Sequence, residues 1–273
     1  MCGSSRMSLW AGCVLGAAGF LLTAGIYNGI ITYKLQRYIE RTPRDPKTGI
    51  VRGAEPIYLK GRNGKAVLLL HGFIGAPSDL GRLPILLHEK GFTVSVPLLP
   101  GHGTTPREFA QTKPDDFIQL ARESYTALKE NHAEVSIVGI SMGGALGIIL
   151  ATEDPPTRLV LLAPYLEIAH QWYYILPTEV HQTLFAPLIP YVHRPKVFKQ
   201  INKKENADKV LDYDFVPLAG AGTTIAIGRR AKEQSAFLRV PMLIIHSKAD
   251  RATDYRASVR LVKELPEQQC RLI

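Results

Sequence analysis

The sequence predicts an α/β fold, in which a mostly parallel sheet carries helices on both faces and follows a single membrane-length helix. Two observations predict it: short apolar runs alternate with amphipathic stretches of about a dozen residues, and the first apolar run carries no charge. The chain has 273 residues, of which 46% are hydrophobic and 21% charged, enough for one large core. Its composition and its three cysteines exclude disorder, collagen, a coiled coil and a disulfide scaffold.

The N-terminal segment, residues 1–33, is predicted to be a membrane anchor. No charged side chain occurs from Leu9 to Ile31, and at about 1.5 Å per residue this run can cross a hydrocarbon layer of roughly 30 Å. Trp10 lies near one end of the run and Tyr33 near the other, as interfacial aromatic residues do. A cleaved signal peptide is the alternative, but the apolar run is longer than a signal-peptide core and no Ala-x-Ala site closes it.

Residues 34–55 are predicted to be a basic connector between the anchor and the body. Only Arg6 precedes the apolar run, whereas five cations follow it: Lys34, Arg37, Arg41, Arg44 and Lys47. By the positive-inside bias the body is expected in the cytoplasm, with these cations against lipid head groups. The net charge of +9 does not indicate nucleic-acid binding, because the cationic clusters are not set in a recognisable nucleic-acid motif.

The body, residues 56–273, is predicted to alternate strands with helices, as βαβ units do. The predicted strands are short β-branched and Leu-rich runs: Ala66–Leu70, Phe92–Pro97, Glu134–Ile140, Arg158–Leu162, Val240–His246 and a run from Cys270. The predicted helices have helical periodicity or small-residue packing: Ser78–Lys90, Asp115–Asn131, Gly143–Glu153 and Tyr255–Leu265. Residues 164–238 interrupt the alternation and are rich in aromatic side chains, so we expect a cap over a site there.

The turn after the strand Glu134–Ile140 has the pattern G-x-S-x-G, at residues 139–143. A serine on a sharp strand-to-helix turn has a strained backbone, and the flanking glycines let the neighbouring chain approach closely. Such a turn presents Ser141 Oγ above the sheet and aims the Met142 N–H and the helix dipole at a developing oxyanion. Ser141 is therefore the predicted nucleophile, and a purely structural turn is the alternative.

Two other loops are predicted to contribute to the same site. His71-Gly72-Phe73 follows the first body strand, where a loop can supply the second oxyanion donor, and the Phe73 N–H is the candidate. His71 itself is expected to brace its loop by hydrogen bonding rather than to transfer protons. Asp250 follows the strand Val240–His246, where an acid can orient an imidazole, and Asp254 is the competing candidate.

With these motifs the sequence resembles the α/β-hydrolases, nearest to their carboxylesterase and monoacylglycerol lipase branch. The matching pieces lie in the family's order: His-Gly-Phe at 71–73, Pro-Gly-His-Gly at 100–103, Gly-Ile-Ser-Met-Gly-Gly at 139–144, and the strand that leads to Asp250. The resemblance implies Ser141 as nucleophile, Asp250 as triad acid, and Phe73 with Met142 as oxyanion donors. It also implies that the cap lines an acyl pocket.

The resemblance further implies a histidine after the triad acid, and this sequence has none there. All eight histidines precede Asp250: His71, His88, His102, His132, His170, His181, His193 and His246. Because the chain stops inside an apolar run, at Ile273, we expect it to be truncated relative to an active hydrolase. A hydrolase-like chain that has lost catalysis is the alternative, and His246 is the only substitute close to the acid in sequence.

The sequence thus predicts a serine hydrolase that cleaves lipid-like or medium-chain acyl esters through an acyl-enzyme on Ser141. An acyltransferase would use the same intermediate, and a membrane-tethered binding or scaffold protein is the alternative from another class. No cofactor and no metal are expected, since H-E-x-x-H, paired C-x-x-C and P-loop motifs do not occur. The expected partners are a small acyl ester and the membrane lipid around the N-terminal helix.

Overall fold

The computed structural model describes residues 4–169, 186–194, 211–266 and 269–273, with side chains from Val14 onward. Most of the aromatic residues predicted to line the cap, such as Trp172 and Phe198, lie outside the described residues, as does the side chain of Trp10.

The described elements follow the predicted alternation closely. The strands are β1 (Ile57–Leu59), β2 (Lys65–Leu70), β3 (Thr93–Val96), β4 (Glu134–Ile140), β5 (Leu159–Leu162), β6 (Tyr191–His193), β7 (Phe215–Pro217), β8 (Met242–Ile245) and β9 (Cys270–Leu272). The helices are α1 (Ser4–Arg41), α2 (Leu83–Glu89), α3 (Pro106–Phe109), α4 (Pro114–Lys129), α5 (Met142–Glu153), α6 (Leu218–Gln234) and α7 (Tyr255–Glu264).

The central sheet is mostly parallel, as predicted. Its strand order is β1-β3-β2-β4-β5-β8-β9, and only the edge strand β1 runs antiparallel to its neighbour. In the register of the sheet, Leu70 lies opposite Gly139, Ile140 opposite Leu162, and Leu162 opposite Ile245. The strands β2, β4, β5 and β8 therefore end at one level, and the loops that follow them share one edge, the position in which open α/β sheets hold their sites.

Helices cover both faces of this sheet, but unequally. The helices α4, α5, α6 and α7 pack on one face, where Leu68, Ile137, Leu161 and Ile244 are completely buried. On the other face α2 covers the end near β3, whereas Ile245 of β8 is still 44% exposed. On this face β8, which leads to the predicted acid, is thus less completely covered than β3, where Val94 and Val96 are 0% exposed.

One predicted element differs from the structure. Ser78–Lys90 is not one helix but a 3-10 helix, Pro77–Leu80, followed by α2, because Gly81 between them has a φ of 55° that breaks the helical path. Within the segment predicted to be the cap, helix α6 packs on the body, and its Ile227 is completely buried in the main core. The bounds of the cap stay a prediction.

Helix α1 also exceeds its predicted length, because it continues past Tyr33 to Arg41. In its described N-terminal half the apolar side chains are mostly exposed, with Leu15 73% and Leu22 68% exposed. Farther along, Leu35 is 1% exposed where the helix packs on Phe215 of the antiparallel pair β6–β7, here called the cap ribbon. In the described part of the chain, α1 is the one helix long and apolar enough to cross a membrane, by length and composition.

Candidate active site

Ser141 occupies a strained turn between β4 and α5, as predicted. Its φ of 52° and ψ of −117° lie outside the regions that residues other than glycine normally adopt. Backbone hydrogen bonds hold this conformation: the Ser141 N–H donates to Leu162 O at 2.9 Å, and Ser141 O accepts from Gly144 N–H at 2.9 Å and Tyr165 N–H at 3.0 Å. The serine is thus fixed from both its own helix and the loop after β5.

The glycines on either side of Ser141 allow a close approach of backbone to backbone. A Cβ atom at Gly139 would lie 2.2 Å from Gly143 O, and one at Gly143 would lie 2.2 Å from Leu70 O. A side chain at Gly139 would separate α5 from β4, and one at Gly143 would separate α5 from β2. The glycines of the motif are therefore required by packing as well as by the turn itself.

The hydroxyl of Ser141 is half-buried and unengaged. It takes part in no hydrogen bond with any residue that the structure describes. A Cβ atom built on Gly72 would lie 3.9 Å from Ser141 Oγ, so the loop after β2 passes directly beside the hydroxyl. Within the described residues, the N–H groups of Phe73 and Met142 donate to no acceptor, and the latter is unused because it begins α5. Unused N–H groups in these two loops are what an oxyanion hole requires.

His71 braces the loop after β2, as expected, and is not a base. Its Nε2 accepts from the Leu99 N–H at 3.0 Å, so its Nδ1 carries the proton and donates to Gly72 O at 3.0 Å. Burial, reinforced by the neighbouring His102, lowers the pKa of His71 to about 3. The ring is therefore neutral near pH 7, and both of its nitrogens are occupied by backbone.

His102, in the loop after β3, forms two hydrogen bonds to backbone that the sequence did not predict. Its Nε2 accepts from the Ile74 N–H at 2.9 Å and its Nδ1 donates to Pro100 O at 3.0 Å. The ring is 1% exposed, and burial lowers its pKa to about 4. The ring centroids of His102 and His71 are 5.1 Å apart. The Pro-Gly-His-Gly motif was visible in the sequence, but its partner on the other loop was not.

Asp250 lies in the loop after β8, which is joined to the loop after β5. Its Oδ1 accepts from Ala252 N–H at 2.8 Å and Thr253 N–H at 3.0 Å, so the carboxylate shapes its own turn. Residues 165–169 connect this turn to the serine, because the Ala169 N–H donates to Ala252 O at 3.1 Å while Tyr165 is bonded to Ser141 O. The competing acid, Asp254, instead caps α7 by accepting from the Arg256 N–H at 2.9 Å.

His246 forms its contacts within its own loop and α7, and not with Ser141. Its Nδ1 lies 2.8 Å from Ser258 Oγ, and its Nε2 lies 3.2 Å from Thr253 Oγ1 and 3.8 Å from Asp250 Oδ2. Burial lowers the pKa of this imidazole, which is 4% exposed. No histidine among the described residues hydrogen-bonds to Ser141 Oγ, so the predicted substitution of His246 for the triad base finds no support in these contacts.

A third acid near the Asp250 loop, Glu167, forms ion pairs with two cations. Glu167 lies 2.6 Å from Lys232 Nζ and 2.6 Å from Arg260 Nη2. Burial raises the pKa of Glu167, but the hydrogen bonds from the two cations outweigh it and bring the pKa below its ordinary value. Among the residues that the structure describes, no group of three or more His, Cys, Asp or Glu side chains is arranged to hold a metal ion.

The chain is similar in sequence to known hydrolases. Residues 61–273 match the protein family described as Hydrolase_4: serine aminopeptidase, S33. A carboxylesterase of Bacillus subtilis (strain 168) is 27% identical over 165 residues, which are 60% of this chain and 63% of that protein. A thermostable monoacylglycerol lipase of Bacillus sp. (strain H-257) is 37% identical over 107 residues, 39% of this chain and 42% of the lipase.

Among solved structures, one from a study of LipS and LipT, two metagenome-derived lipolytic enzymes, superimposes with a TM-score of 0.71. It is 24% identical, and the match covers 82% of this chain and 88% of that one. At this identity the likeness shows the fold: a central sheet with the same overall arrangement. The chain spans less than two thirds of the length of either curated relative, so the relatives' whole activities do not transfer to it with the fold.

Proposed function

Because the chain belongs to the family Hydrolase_4, serine aminopeptidase S33, we propose that it is a serine hydrolase that cleaves carboxylic esters. The observation that carries the proposal is the strained turn at Ser141, which leaves the serine hydroxyl unengaged beside a loop with an unused N–H group. Ester rather than amide cleavage is supported by the two curated relatives, which are named a carboxylesterase and a monoacylglycerol lipase.

In the proposed reaction Ser141 Oγ forms a bond to the acyl carbon while its proton passes to a base. The Phe73 and Met142 N–H groups stabilise the tetrahedral oxyanion, the alcohol leaves with a proton, and water then releases the acid from the acyl-enzyme. Asp250 is the proposed acid that orients an imidazole base. Since no described histidine reaches Ser141, we expect the 273-residue chain to be slow by itself.

The test of the nucleophile is covalent labelling by a fluorophosphonate in buffer that contains free imidazole as an external base. Labelling forms a bond between phosphorus and Ser141 Oγ and releases fluoride and the hydroxyl proton. We expect one label per chain by intact mass, with loss of the label in Ser141→Ala but not in Ser136→Ala, which changes a serine on β4, the strand that precedes Ser141. A folded wild-type chain that takes no label would support a binding or scaffold protein instead.

The acyl group is proposed to be lipid-like or of medium length, because α1 has the properties of a membrane anchor. Leu15 and Leu22, which are 73% and 68% exposed, are apolar residues that a bilayer would cover. The proposed arrangement is a single-pass anchor with the body on the cytoplasmic side. An acyltransferase is separated from a hydrolase by adding an acceptor alcohol and measuring ester exchange against acid release.

The end of α1 offers a surface suited to lipid head groups. Lys34, Arg37 and Arg41 line a cavity of about 710 Å³ at the end of the apolar helix, together with Asp212 and Asp214. Within the described residues, these three cations form no ion pair with any carboxylate. Unpaired cations directly after a membrane-length run are attracted to anionic lipid, by about 1 kcal/mol for each.

The anchor is tested by fractionation of lysed cells. Full-length protein with an intact N-terminus is expected in the membrane fraction. The double variant Leu15→Lys with Leu22→Lys should release it, because each buried lysine costs about 3 kcal/mol in a bilayer. Tyr58→Lys, at a side chain 62% exposed on the body, is the matched control and should stay with the membrane. Uncleaved wild-type protein in the soluble fraction would contradict the anchor.

A further inference from the structure

We propose that His71 and His102 are positioning residues, which together fix the direction of the Phe73 N–H. The two histidines come from different loops, here named the oxyanion loop (residues 71–76, after β2) and the second loop (residues 97–104, after β3). Each histidine bonds to the backbone of the other loop: His71 to Leu99 N–H at 3.0 Å, and His102 to Ile74 N–H at 2.9 Å. The oxyanion role of Phe73 rests on the proposed function, whereas the exchange of hydrogen bonds does not.

The two rings hold the peptide groups on both sides of Phe73. His71 Nδ1 donates to Gly72 O, and this carbonyl belongs to the same planar peptide group as the Phe73 N–H. Holding the carbonyl therefore sets the direction of the N–H on its opposite side. His102 Nε2 accepts from the N–H of the next peptide group, that of Ile74. With both flanking groups held, Phe73 has little freedom to rotate its donor away.

The oxyanion loop requires such a brace because its backbone is strained. Ile74 has a φ of 54°, a conformation that is costly for a β-branched residue. The hydrogen bond from the Ile74 N–H to His102 stabilises this conformation, and the side chain of Ile74 is 4% exposed. Without an acceptor at His102 Nε2, the Ile74 N–H would be buried and unsatisfied, which favours relaxation of the loop.

The rings of His71 and His102, which form this brace, are buried and packed among aromatic side chains. The rings are 0% and 1% exposed, and the His102 ring packs edge-on against Phe109 at a centroid distance of 4.6 Å. Phe109 in turn lies 5.6 Å from the ring of Phe73, so one aromatic cluster supports the donor residue and its brace. A phenylalanine at position 102 could keep this ring packing while it removes both hydrogen bonds.

The test compares three variants of the full chain. His102→Phe keeps an aromatic ring at this position but removes the acceptor of the Ile74 N–H. His102→Gln provides a side-chain amide oxygen that can accept from the Ile74 N–H in place of Nε2. His132→Phe is the matched control, because His132 also uses both ring nitrogens, to Leu128 O and Thr93 Oγ1 at 2.9 Å each, but lies toward the opposite edge of the sheet. The rate constant of Ser141 labelling by a fluorophosphonate, with imidazole present, is measured for each.

We expect His102→Phe to lower the labelling rate constant by about 10²-fold, the effect of losing one oxyanion donor. His102→Gln should restore most of that loss, and His132→Phe should label at the wild-type rate even if its Tm decreases. With imidazole supplied as the external base, the decrease on an ester substrate should appear in kcat and not in KM, because the oxyanion forms only in the transition state. Equal rates for folded His102→Phe and wild type, or equal decreases in His102→Phe and His132→Phe, would overturn the proposal.

Amide hydrogen exchange separates this inference from the proposed function. The Ile74 N–H should be protected in the wild type and exchange faster in His102→Phe, whether or not Ser141 takes a label. If wild-type Ser141 is not labelled but the Ile74 amide is protected, the hydrolase assignment fails and the brace stands. An unprotected Ile74 amide in the folded wild type would overturn the brace itself.

Discussion

The site has a nucleophile half, formed by Ser141 and residues 71–76 and 97–104, and an acid half, formed by residues 246–254, and the two differ in how firmly hydrogen bonds hold the chain around the proposed reacting groups. In the nucleophile half, both rings of the histidine brace are saturated by backbone partners, and the Ser141 turn is tied by hydrogen bonds to two elements. In the acid half, Asp250 Oδ1 closes its own turn, while the one described partner of its Oδ2 is His246 Nε2, at 3.8 Å. The neighbouring Ile245 is 44% exposed.

This difference separates the parts of the site that follow from the sheet from the part that does not. The strained serine and its two proposed donor loops follow from β2, β3, β4 and the glycines that let them approach. Among the described residues a base does not follow from them, because each described imidazole near the site is already bonded elsewhere.

The largest effect is expected when a base is supplied to the acid half. Ile273 lies at the edge of the sheet from which the Asp250 loop leaves β8. Its N–H donates to Ile244 O at 2.9 Å and its carbonyl accepts from His246 N–H at 3.1 Å. A designed loop fused after Ile273, with a histidine able to reach Asp250, should raise turnover of p-nitrophenyl esters by about 10²- to 10⁴-fold. The same loop with alanine in place of histidine is the control, and Ser141→Ala should abolish the gain. An equal gain from the alanine loop would refute the prediction.

A somewhat smaller effect is expected from closing the gap between α5 and β2. Gly143→Ala places a Cβ atom 2.2 Å from Leu70 O, a backbone atom that cannot move cheaply, so it should cost about 4 kcal/mol of unfolding free energy. Gly147→Ala is the control on the same helix, because its nearest contacts are side-chain carbons at 3.3 Å and alanine favours helix by about 1 kcal/mol. Urea unfolding compares the two, and equal costs would show that the close approach is not what Gly143 provides.

A smaller effect is expected in the pH dependence of the free energy of unfolding, which depends on the buried histidines His71 and His102. Burial holds the pKa of His71 at about 3 and that of His102 at about 4, below the ordinary value of 6.5. Between about pH 4 and pH 6.5 the unfolded chain therefore binds more protons, so stability is complete above this range and is lost as the pH decreases through it. His102→Phe removes one of these groups, and its loss of stability should be shallower by up to about 1.4 kcal/mol per pH unit. Parallel curves for His102→Phe and wild type would contradict this account.

The sequence predicted the nucleophile half better than the acid half, for a physical reason. The G-x-S-x-G pattern after a strand allows few backbone geometries, so the turn at Ser141 could be predicted and is confirmed. The partnership of His102 with Ile74 could not, because it joins residues that are 28 positions apart and depends on how two loops meet above the sheet. The oxyanion roles of Phe73 and Met142 and the role of Asp250 stay predictions.

Features of the fold that the sequence did not predict have the same origin. Helix α6, which lies in a segment without a predicted helix, contains glycines and threonines that weaken any amphipathic pattern, and packing against α5 overrides their low helix propensity. The division at Gly81 also depends on tertiary structure, since the periodicity of Leu80, Leu83, Leu86 and Leu87 continues across it. Local patterns therefore predicted which segments are buried, and long-range contacts decided where each one begins and ends.

The central claim is that the described residues hold the proposed nucleophile and its proposed donors but no histidine bonded to Ser141, and it is tested most directly by ester turnover of the 273-residue chain. The account predicts that p-nitrophenyl butyrate is hydrolysed barely above background and that Ser141→Ala changes the rate little, because residual catalysis comes from the oxyanion donors and binding alone. Robust turnover that disappears in Ser141→Ala would contradict it. One of the eight histidines would then act as the base, and His246→Ala would show whether it is the one nearest to Asp250.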